Sequence, residues 1–242
     1  MKYIMKSKDF YTTIELAKIL KISRIAVFNK IKRRKIKAQK MGRNFVIFKK
    51  DLENVDLDLF KLAKNWVKSK KEFPKEFYCQ NSSDFQARIL KMEFLIAKRG
   101  ENKNLPSLLT SIAGEIGNNS FDHNLGQWLD VPGIFFGYDL NKKQIVLADR
   151  GVGILRTLKK VKSELKNHKE ALLTAFTEII SGRKPEARGN GLKYVRKIIS
   201  EYPINLAFET GNAKLILKGG DQNINIKNTL DNIKGCLALI SY

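Results

Sequence analysis

The chain has 242 residues, enough for two modest domains, and its hydrophobic content of 43% is ordinary for a globular protein. Its 46 Lys and Arg residues outnumber the 24 Asp and Glu residues, and the formal net charge of +22 favours a polyanion such as nucleic acid as a partner. Two cysteines without a C-x-x-C or Cys/His cluster argue against a zinc site or a disulfide framework. No apolar run is long enough to span a bilayer, so we expect a cytoplasmic protein with no membrane partner.

The first third of the chain carries most of the positive charge and a pattern of two short helices. Residues 1–76 contain 22 basic and 8 acidic side chains, a net charge of +14. Thr12-Thr-Ile-Glu15 is a capping-box pattern that predicts a helix from about Thr13. After a short turn, Ser23 is a natural N-cap for a second helix over residues 24–33, which Val27 and Ile31 would anchor to the core.

A small β-hairpin is predicted next, from residues 36–40 and 45–48 around the turn Met41-Gly42-Arg43-Asn44. In this order the elements resemble the excisionase and MerR type of winged helix-turn-helix domain, in which the hairpin is the wing. That family commonly has glycine after the second helix, where this chain has Arg34. Because arginine in a left-handed cap costs on the order of 1 kcal/mol, we expect the helix to end differently here.

The resemblance implies that the first domain binds double-stranded DNA. Arg24, Asn29 and Lys32 would point away from the buried helix face, and such side chains can read base edges in the major groove. The basic residues after the helix and on the wing would neutralise phosphates without reading sequence. These phosphate-binding candidates are Arg33, Arg34, Lys35, Lys40 and Arg43.

A connector separates this domain from the rest of the chain. We assign residues 1–55 to the winged helix-turn-helix domain, residues 56–84 to a connector with a helix and a hinge, and residues 85–242 to a second domain. Residues 85–97 fit both strand and helix periodicity, and we expect a strand-like start. Leu105-Pro106 then opens a long helix.

On that helix, Glu115, Asn119 and Asp122 stand at positions i, i+4 and i+7, which places two carboxylates and an amide on one face. Such a face can hold a hydrated cation and orient a water molecule.

Two glycine-rich stretches follow. Asp149 ends an apolar strand pattern and precedes Gly151 and Gly153, so the backbone there can approach a flat ligand beside a carboxylate. Gly189 and Gly191 precede another helical pattern, and the free N–H groups at its start would favour an anion.

In order and spacing, these three stretches resemble the N-box, G1 box and G2 box of the GHKL superfamily of ATP-binding domains, over roughly residues 85–242. The resemblance implies an α+β fold for the whole chain: the winged helix-turn-helix joined to a Bergerat-type α/β sandwich. Its one mixed sheet would be covered by helices on one face. It also implies ATP and Mg²⁺ as cofactors.

The site roles follow residue by residue from the resemblance. Glu115 would be the general base, Asn119 would coordinate Mg²⁺, and Asp122 would support the loop or the metal's water shell. Asp149 would accept a hydrogen bond from the adenine amino group, while Gly151 and Gly153 leave room for the ring and ribose. Residues 154–188 take the position of the lid, and the phosphate-binding candidates are Lys184, Arg188, Gly189, Gly191, Leu192 and Lys193.

The G2 box departs from the histidine-kinase form because Leu192 is followed by Lys193 and Tyr194 rather than by Gly-Leu. The only two histidines, His123 and His168, lie in the N-box and the lid, so an autophosphorylating histidine kinase is not expected.

Three functions remain open from the sequence. The first is a DNA-binding regulator in which Mg-ATP binding, with or without hydrolysis at Glu115, controls the binding of DNA or of a protein partner. The second is a serine protein kinase of the anti-sigma-factor type. The third is a non-hydrolysing scaffold with an ATP-binding fold. A homodimer is compatible with each.

Overall fold

The computed structural model describes residues 10–20, 22–48, 51, 58–68, 75–100, 102–179 and 190–242. The chain divides into two compact units, Met1–Asp58 and Leu59–Tyr242, each with its own sheet. The fold is mixed α+β, as expected. None of the helices in the described residues has both the length and the apolar character needed to cross a lipid bilayer.

The first unit consists of two helices against a three-stranded antiparallel sheet with strand order β1-β3-β2. Its elements are β1 (Phe10–Thr12), α1 (Thr13–Leu20), α2 (Arg24–Lys32), β2 (Gln39–Met41) and β3 (Asn44–Phe48). Both helix starts are capped as predicted. The amide of Glu15 donates to the Thr12 hydroxyl at 3.2 Å while the amide of Thr12 donates to the Glu15 carboxylate at 2.7 Å. Ser23 accepts from the amide of Ala26 at 3.1 Å.

The end of α2 corrects one expectation. Arg34 has φ of +55° and so takes the left-handed conformation that we expected arginine to avoid. Its amide donates to the carbonyl of Ile31 at 2.9 Å, and the amide of Lys35 donates to the carbonyl of Lys30 at 2.8 Å. These two bonds form a Schellman motif, so the paired carbonyls offset the backbone cost at Arg34.

The second unit is built on a five-stranded sheet with strand order β4-β5-β6-β8-β7. Its helices are α3 (Leu59–Lys68), α4 (Ser82–Ala97), α5 (Leu105–Asn124), α6 (Gly153–Leu158), α7 (His168–Thr177) and α8 (Gly191–Glu201). Its strands are β4 (Tyr78–Cys79), β5 (Ile134–Asp139), β6 (Gln144–Asp149), β7 (Asn205–Leu217) and β8 (Asn225–Ser241). The predicted strands at 134–138 and 144–148 are confirmed, and those at 206–210 and 214–218 form the single strand β7.

The sheet is antiparallel throughout the described strands, not mixed as expected. The chain passes from β6 to β7 through three helices, a connection that would normally yield a parallel pair. Strand β8 instead lies between β6 and β7 and pairs antiparallel with both.

Helices cover both faces of the sheet, which corrects the expectation of one covered face. Phe136 of β5 contacts Phe85 of α4, with ring centroids 5.2 Å apart, on the face that also packs against α5, α7 and α8. Side chains alternate along a strand, so Gly137 faces the opposite side, where Leu59 of α3 lies next to it. The helix that we expected in a connector, α3, belongs to the second unit, which begins at Leu59.

Residues 82–97 form the helix α4, so the expected strand-like start is wrong. The side chain of Asn81 caps this helix by accepting from the amide of Asp84 at 2.9 Å. The buried side chains of α4 recur at helical spacing, at Phe85, Ile89, Met92 and Ile96. This helical pattern covers the whole segment, whereas the strand-like alternation covers only its first residues.

Candidate functional site

A cleft opens in the second unit between α5, α6, the start of α8, the end of β6 and the interior of β8, and we call it the α5–α8 cleft. It has about 760 Å³ of free space, counting the part open to solvent. The residues predicted from the three motifs that line it are Asn119, Asp149, Gly153, Gly191, Leu192 and Lys193. The fold therefore brings parts of all three distant sequence stretches together around one cavity.

Asp149 ends β6 at the floor of the cleft, and its side chain is almost fully buried. The hydroxyl of Ser120 donates to its Oδ2 at 2.8 Å, and the amide of Gly151 donates to its Oδ1 at 2.9 Å. The backbone and thiol of Cys236 also hydrogen-bond to the carboxyl group. Burial raises the pKa of Asp149 to about 6, although these hydrogen bonds favour its ionised form. A buried carboxylate of this kind is a strong acceptor for a ligand N–H group.

Asn124 holds the turn that follows Asp149. Its side chain accepts from the amide of Val152 at 2.9 Å and donates to the carbonyl of Ser120 at 2.7 Å. A Cβ atom at Gly151 would overlap this carboxamide. The missing side chain at Gly151 thus leaves room for Asn124 rather than directly for a ligand ring, which corrects our interpretation of that glycine. Gly153, with φ of +75°, does line the cleft.

The other end of the cleft is formed where α5 meets the first turn of α8. Helix α8 begins at Gly191, and the side chain of its N-cap residue Asn190 makes no capping hydrogen bond. A Cβ atom at Gly191 would overlap the Glu115 carboxylate and lie 3.5 Å from Nδ2 of Asn119. A carboxylate, an amide and helix N–H groups that the Asn190 side chain does not cap therefore meet at one point.

The described basic residue at this end is Lys193. Its Nζ donates to the carbonyl of Glu178 after α7 at 2.5 Å, and burial lowers its pKa. The other candidates Lys184, Arg188 and Gly189 lie outside the described residues. In the predicted lid region of residues 154–188, the described residues include all of α7 and all of α6 except its first residue.

The helix face that lines the cleft is rotated relative to the predicted one. Ile116, Asn119, Ser120 and His123 line it, whereas Asp122 is exposed and is not among the lining residues. Ser120 and Asn124 were not predicted, because they lie outside the i, i+4, i+7 pattern of Glu115, Asn119 and Asp122. Their positions, one and five residues after Asn119 on a helix with an apolar inner face, were the pattern from which Ser120 and Asn124 could have been predicted.

In the first unit, all the predicted DNA-contacting residues are exposed. Asn29 and Lys32 lie on the side of α2 opposite Val27. Arg24 does not point away from Val27, because three residues of helix bring it back to within about 60° of that side chain. It is exposed as the first residue of the helix.

No protein-family model matches this chain, and no curated protein matches it. Within the described residues, no three His, Cys, Asp or Glu side chains are grouped closely enough to hold a metal ion by themselves.

Proposed function

We propose that this protein is a DNA-binding regulator whose second unit binds Mg-ATP and whose first unit binds double-stranded DNA as a winged helix-turn-helix. Nucleotide binding would control the binding of DNA or of a protein partner. The observation that carries the proposal is the buried carboxylate of Asp149 in the same cleft as the uncapped start of α8.

The Asp149 end of the cleft suits a purine with an exocyclic amino group. The carboxylate can accept a hydrogen bond from that group, and apolar side chains such as Ile116, Ile154 and Phe208 line the surrounding walls. A largely apolar cleft with few polar groups is the usual design of a small-molecule site. Adenine fits this combination of one strong acceptor and apolar walls.

The Gly191 end suits phosphates. The N-terminus of α8 presents N–H groups and a positive dipole end to an anion. Asn119 is the residue that fits Mg²⁺, and an ion there would take its remaining ligands from phosphates and water, as Mg²⁺ commonly does. Mg²⁺ neutralises phosphate charge and polarises the γ-phosphoryl group. Glu115, next to Gly191, is then the candidate to accept a proton from an attacking water.

DNA binding is supported by the distribution of charge on the first unit. Arg33, Arg34 and Lys35 are exposed after α2, and Lys40 and Arg43 are exposed on the β2–β3 hairpin. Lys and Arg side chains at the end of a helix and on a neighbouring hairpin can contact phosphates on both sides of a major groove.

Control of DNA binding by nucleotide needs a physical link from the cleft, and Arg150 offers one within the second unit. It follows Asp149 directly, is almost fully buried, and forms an ion pair with Asp130. Its guanidinium lies 5.8 Å from the ring centroid of Trp66 on α3. Movement of the 149–151 turn would therefore reach α3, the first helix of this unit in the chain.

The test of nucleotide binding is calorimetric titration of Mg-ATP and a non-hydrolysable analogue into the wild type and Asp149→Asn. We expect the wild type to bind Mg-ATP and Asp149→Asn to bind it at least tenfold more weakly. The variant presents an amide NH₂ group where the ligand needs an acceptor. Binding to neither protein would refute the nucleotide proposal and leave the scaffold alternative.

The test of the regulatory link is DNA affinity with and without Mg-ATP, at several salt concentrations. We expect nucleotide to change the affinity of the wild type and not that of Asp149→Asn. Equal affinities in all four conditions would refute control by nucleotide, and transfer of the γ-phosphate to a co-purifying protein would instead support the kinase alternative.

A further inference from the structure

The exposed face of α2 carries apolar side chains in an otherwise basic surface. Ile25 is 73% exposed and Phe28 is 38% exposed. The side chain of Ile25 remains largely in water, so its apolar surface contributes little to the folding of this unit. A helix face that contacts only water does not account for these exposed apolar side chains.

Helical geometry puts Ile25 on the same stripe as the predicted base-reading residues. Ile25, Asn29 and Lys32 stand at i, i+4 and i+7, and all three are exposed on the side opposite the buried Val27. Ile25 is the second residue of the helix. In a helix-turn-helix the N-terminal part of the second helix reaches the base edges, so Ile25 would be among the first side chains to meet them.

Phe28 is held in place beside this stripe. Its ring packs against Phe45 of the β2–β3 hairpin with centroids 5.4 Å apart and an interplanar angle of 83°. The Nζ of Lys32 lies 5.6 Å from the Phe28 ring centroid. The exposed edge of Phe28 is thus a rigid apolar wall next to Ile25 and costs little conformational entropy on binding.

The charge around this apolar pair indicates what covers it. Arg24, Lys32, Arg33, Lys40 and Arg43 are exposed on the same helix or on the adjoining hairpin. The described acidic residues of this unit are Glu15 in the α1 cap, Asp51 paired with Lys37, and the exposed Asp58 at the end of the unit. A surface of this charge is complementary to a polyanion rather than to an average protein surface.

We propose that Ile25, walled by Phe28, reads thymine C5-methyl groups in the major groove. The preferred substrate class is then a duplex in which a thymine methyl lies next to the adenine that Asn29 can pair through its carboxamide. This inference rests on the proposed DNA binding and names the sequence chemistry of that same surface.

The experiment uses the full chain and a duplex selected from a random pool by repeated binding. Each thymine of the selected duplex is replaced in turn by deoxyuridine, which removes only the methyl group and keeps base pairing. Affinities are measured by fluorescence anisotropy for the wild type, Ile25→Ala and the control Ile14→Ala, which truncates an isoleucine of α1 that is 49% exposed.

At one or two thymines we expect deoxyuridine to weaken wild-type binding about fourfold, the factor for burial of one methyl group. Ile25→Ala should bind the parent duplex less tightly and should no longer distinguish thymine from uracil at those positions. Ile14→Ala should distinguish them as the wild type does.

Three results would overturn the inference. Equal affinity of the wild type for every thymine and uracil duplex would do so while leaving DNA binding intact. Full discrimination by Ile25→Ala would show that another group reads the methyl. If the wild type bound no duplex at any salt concentration, the inference would fail together with the DNA-binding proposal.

Discussion

The hydroxyl of Ser120 on α5 donates a 2.8 Å hydrogen bond to Oδ2 of Asp149 at the end of β6. This buried bond joins the helix that carries Asn119 to the strand that carries the buried carboxylate. It thereby holds the end of β6 against α5 at the Asp149 end of the α5–α8 cleft.

Ser120→Ala should weaken Mg-ATP binding about tenfold, because a hydrogen bond to a charged group contributes roughly 1.5–3 kcal/mol and Asp149 would lose part of its orientation. Isothermal calorimetry measures this effect. Ser107→Ala is the matched control, since Ser107 is an exposed serine at the other end of α5 whose hydroxyl donates to the carbonyl of Asn104. Equal affinities for the two variants would contradict the role of Ser120.

Ligand binding should depend on pH through Asp149. Its pKa is raised to about 6, so the ionised form that accepts a ligand N–H predominates above this pH and is lost below it. We expect affinity to fall by about tenfold between pH 7.5 and pH 5, since only about one molecule in ten is ionised one unit below the pKa. The neighbouring Cys236 thiol has a pKa raised well above its usual value by burial, so it stays protonated over this range.

Titration with adenosine as well as Mg-ATP separates protonation of Asp149 from protonation of the phosphates. Asp149→Asn should bind adenosine weakly and with no step near pH 6. A wild-type adenosine affinity that is constant from pH 5 to pH 7.5 would show that the carboxylate does not contact the base.

Gly151→Ala should destabilise the second unit by roughly 1–3 kcal/mol, because the added methyl group would displace the Asn124 carboxamide from the amide of Val152 and leave buried polar groups unpaired. Thermal unfolding followed by tryptophan fluorescence measures it. Gly114→Ala on α5 is the control: its nearest neighbour would be a side-chain carbon of Ile89 at 3.8 Å, and alanine favours helix. A melting temperature of Gly151→Ala at or above that of Gly114→Ala would contradict the prediction.

Lys64→Ala should destabilise the packing of α3 more than Lys68→Ala. Lys64 lies 3.4 Å from the almost fully buried carboxylate of Glu209 and 2.7 Å from Asp231, whereas the ion pair of Lys68 within the described residues is with Asp231. Removing Lys64 leaves Glu209 with Lys214 at 2.9 Å as its remaining described cation. We expect a loss of about 1–3 kcal/mol for Lys64→Ala and at most about 1 kcal/mol for Lys68→Ala, measured by denaturant unfolding with Trp66 as the α3 probe. Equal losses would contradict the role of Glu209.

Arg34→Gly should stabilise the first unit by up to about 1 kcal/mol, because glycine adopts φ of +55° without the steric cost of a Cβ atom. Both tryptophans, Trp66 and Trp128, belong to the second unit, so hydrogen exchange of the α2 amides is the measurement. Arg33 has φ of −80°, so Arg33→Gly should not slow hydrogen exchange of the α2 amides. If Arg34→Gly accelerated exchange, the backbone at this position would not be a source of strain.

Much of the local structure followed from short sequence patterns. The caps at Thr12 and Ser23, the β2–β3 hairpin and the α5 start at Leu105-Pro106 depend on residues within a few positions of each other, so composition and spacing determine them. The same reasoning failed at residues 82–97, where the start of α4 satisfies two periods and only packing of Ile89, Met92 and Ile96 decides between them.

The sequence by itself determined the positions of Asp149, Asn119 and Gly191 within their own helices or strands. Each of these positions depends on the end or the face of a single helix or strand. Only the tertiary structure decided which side chains surround them. Ser120 and Asn124 reach Asp149 across 29 and 25 residues, and β8 enters between β6 and β7 from the end of the chain. Such contacts depend on strand order and on which helix face turns inward, and these follow from the packing of the whole unit rather than from any local pattern.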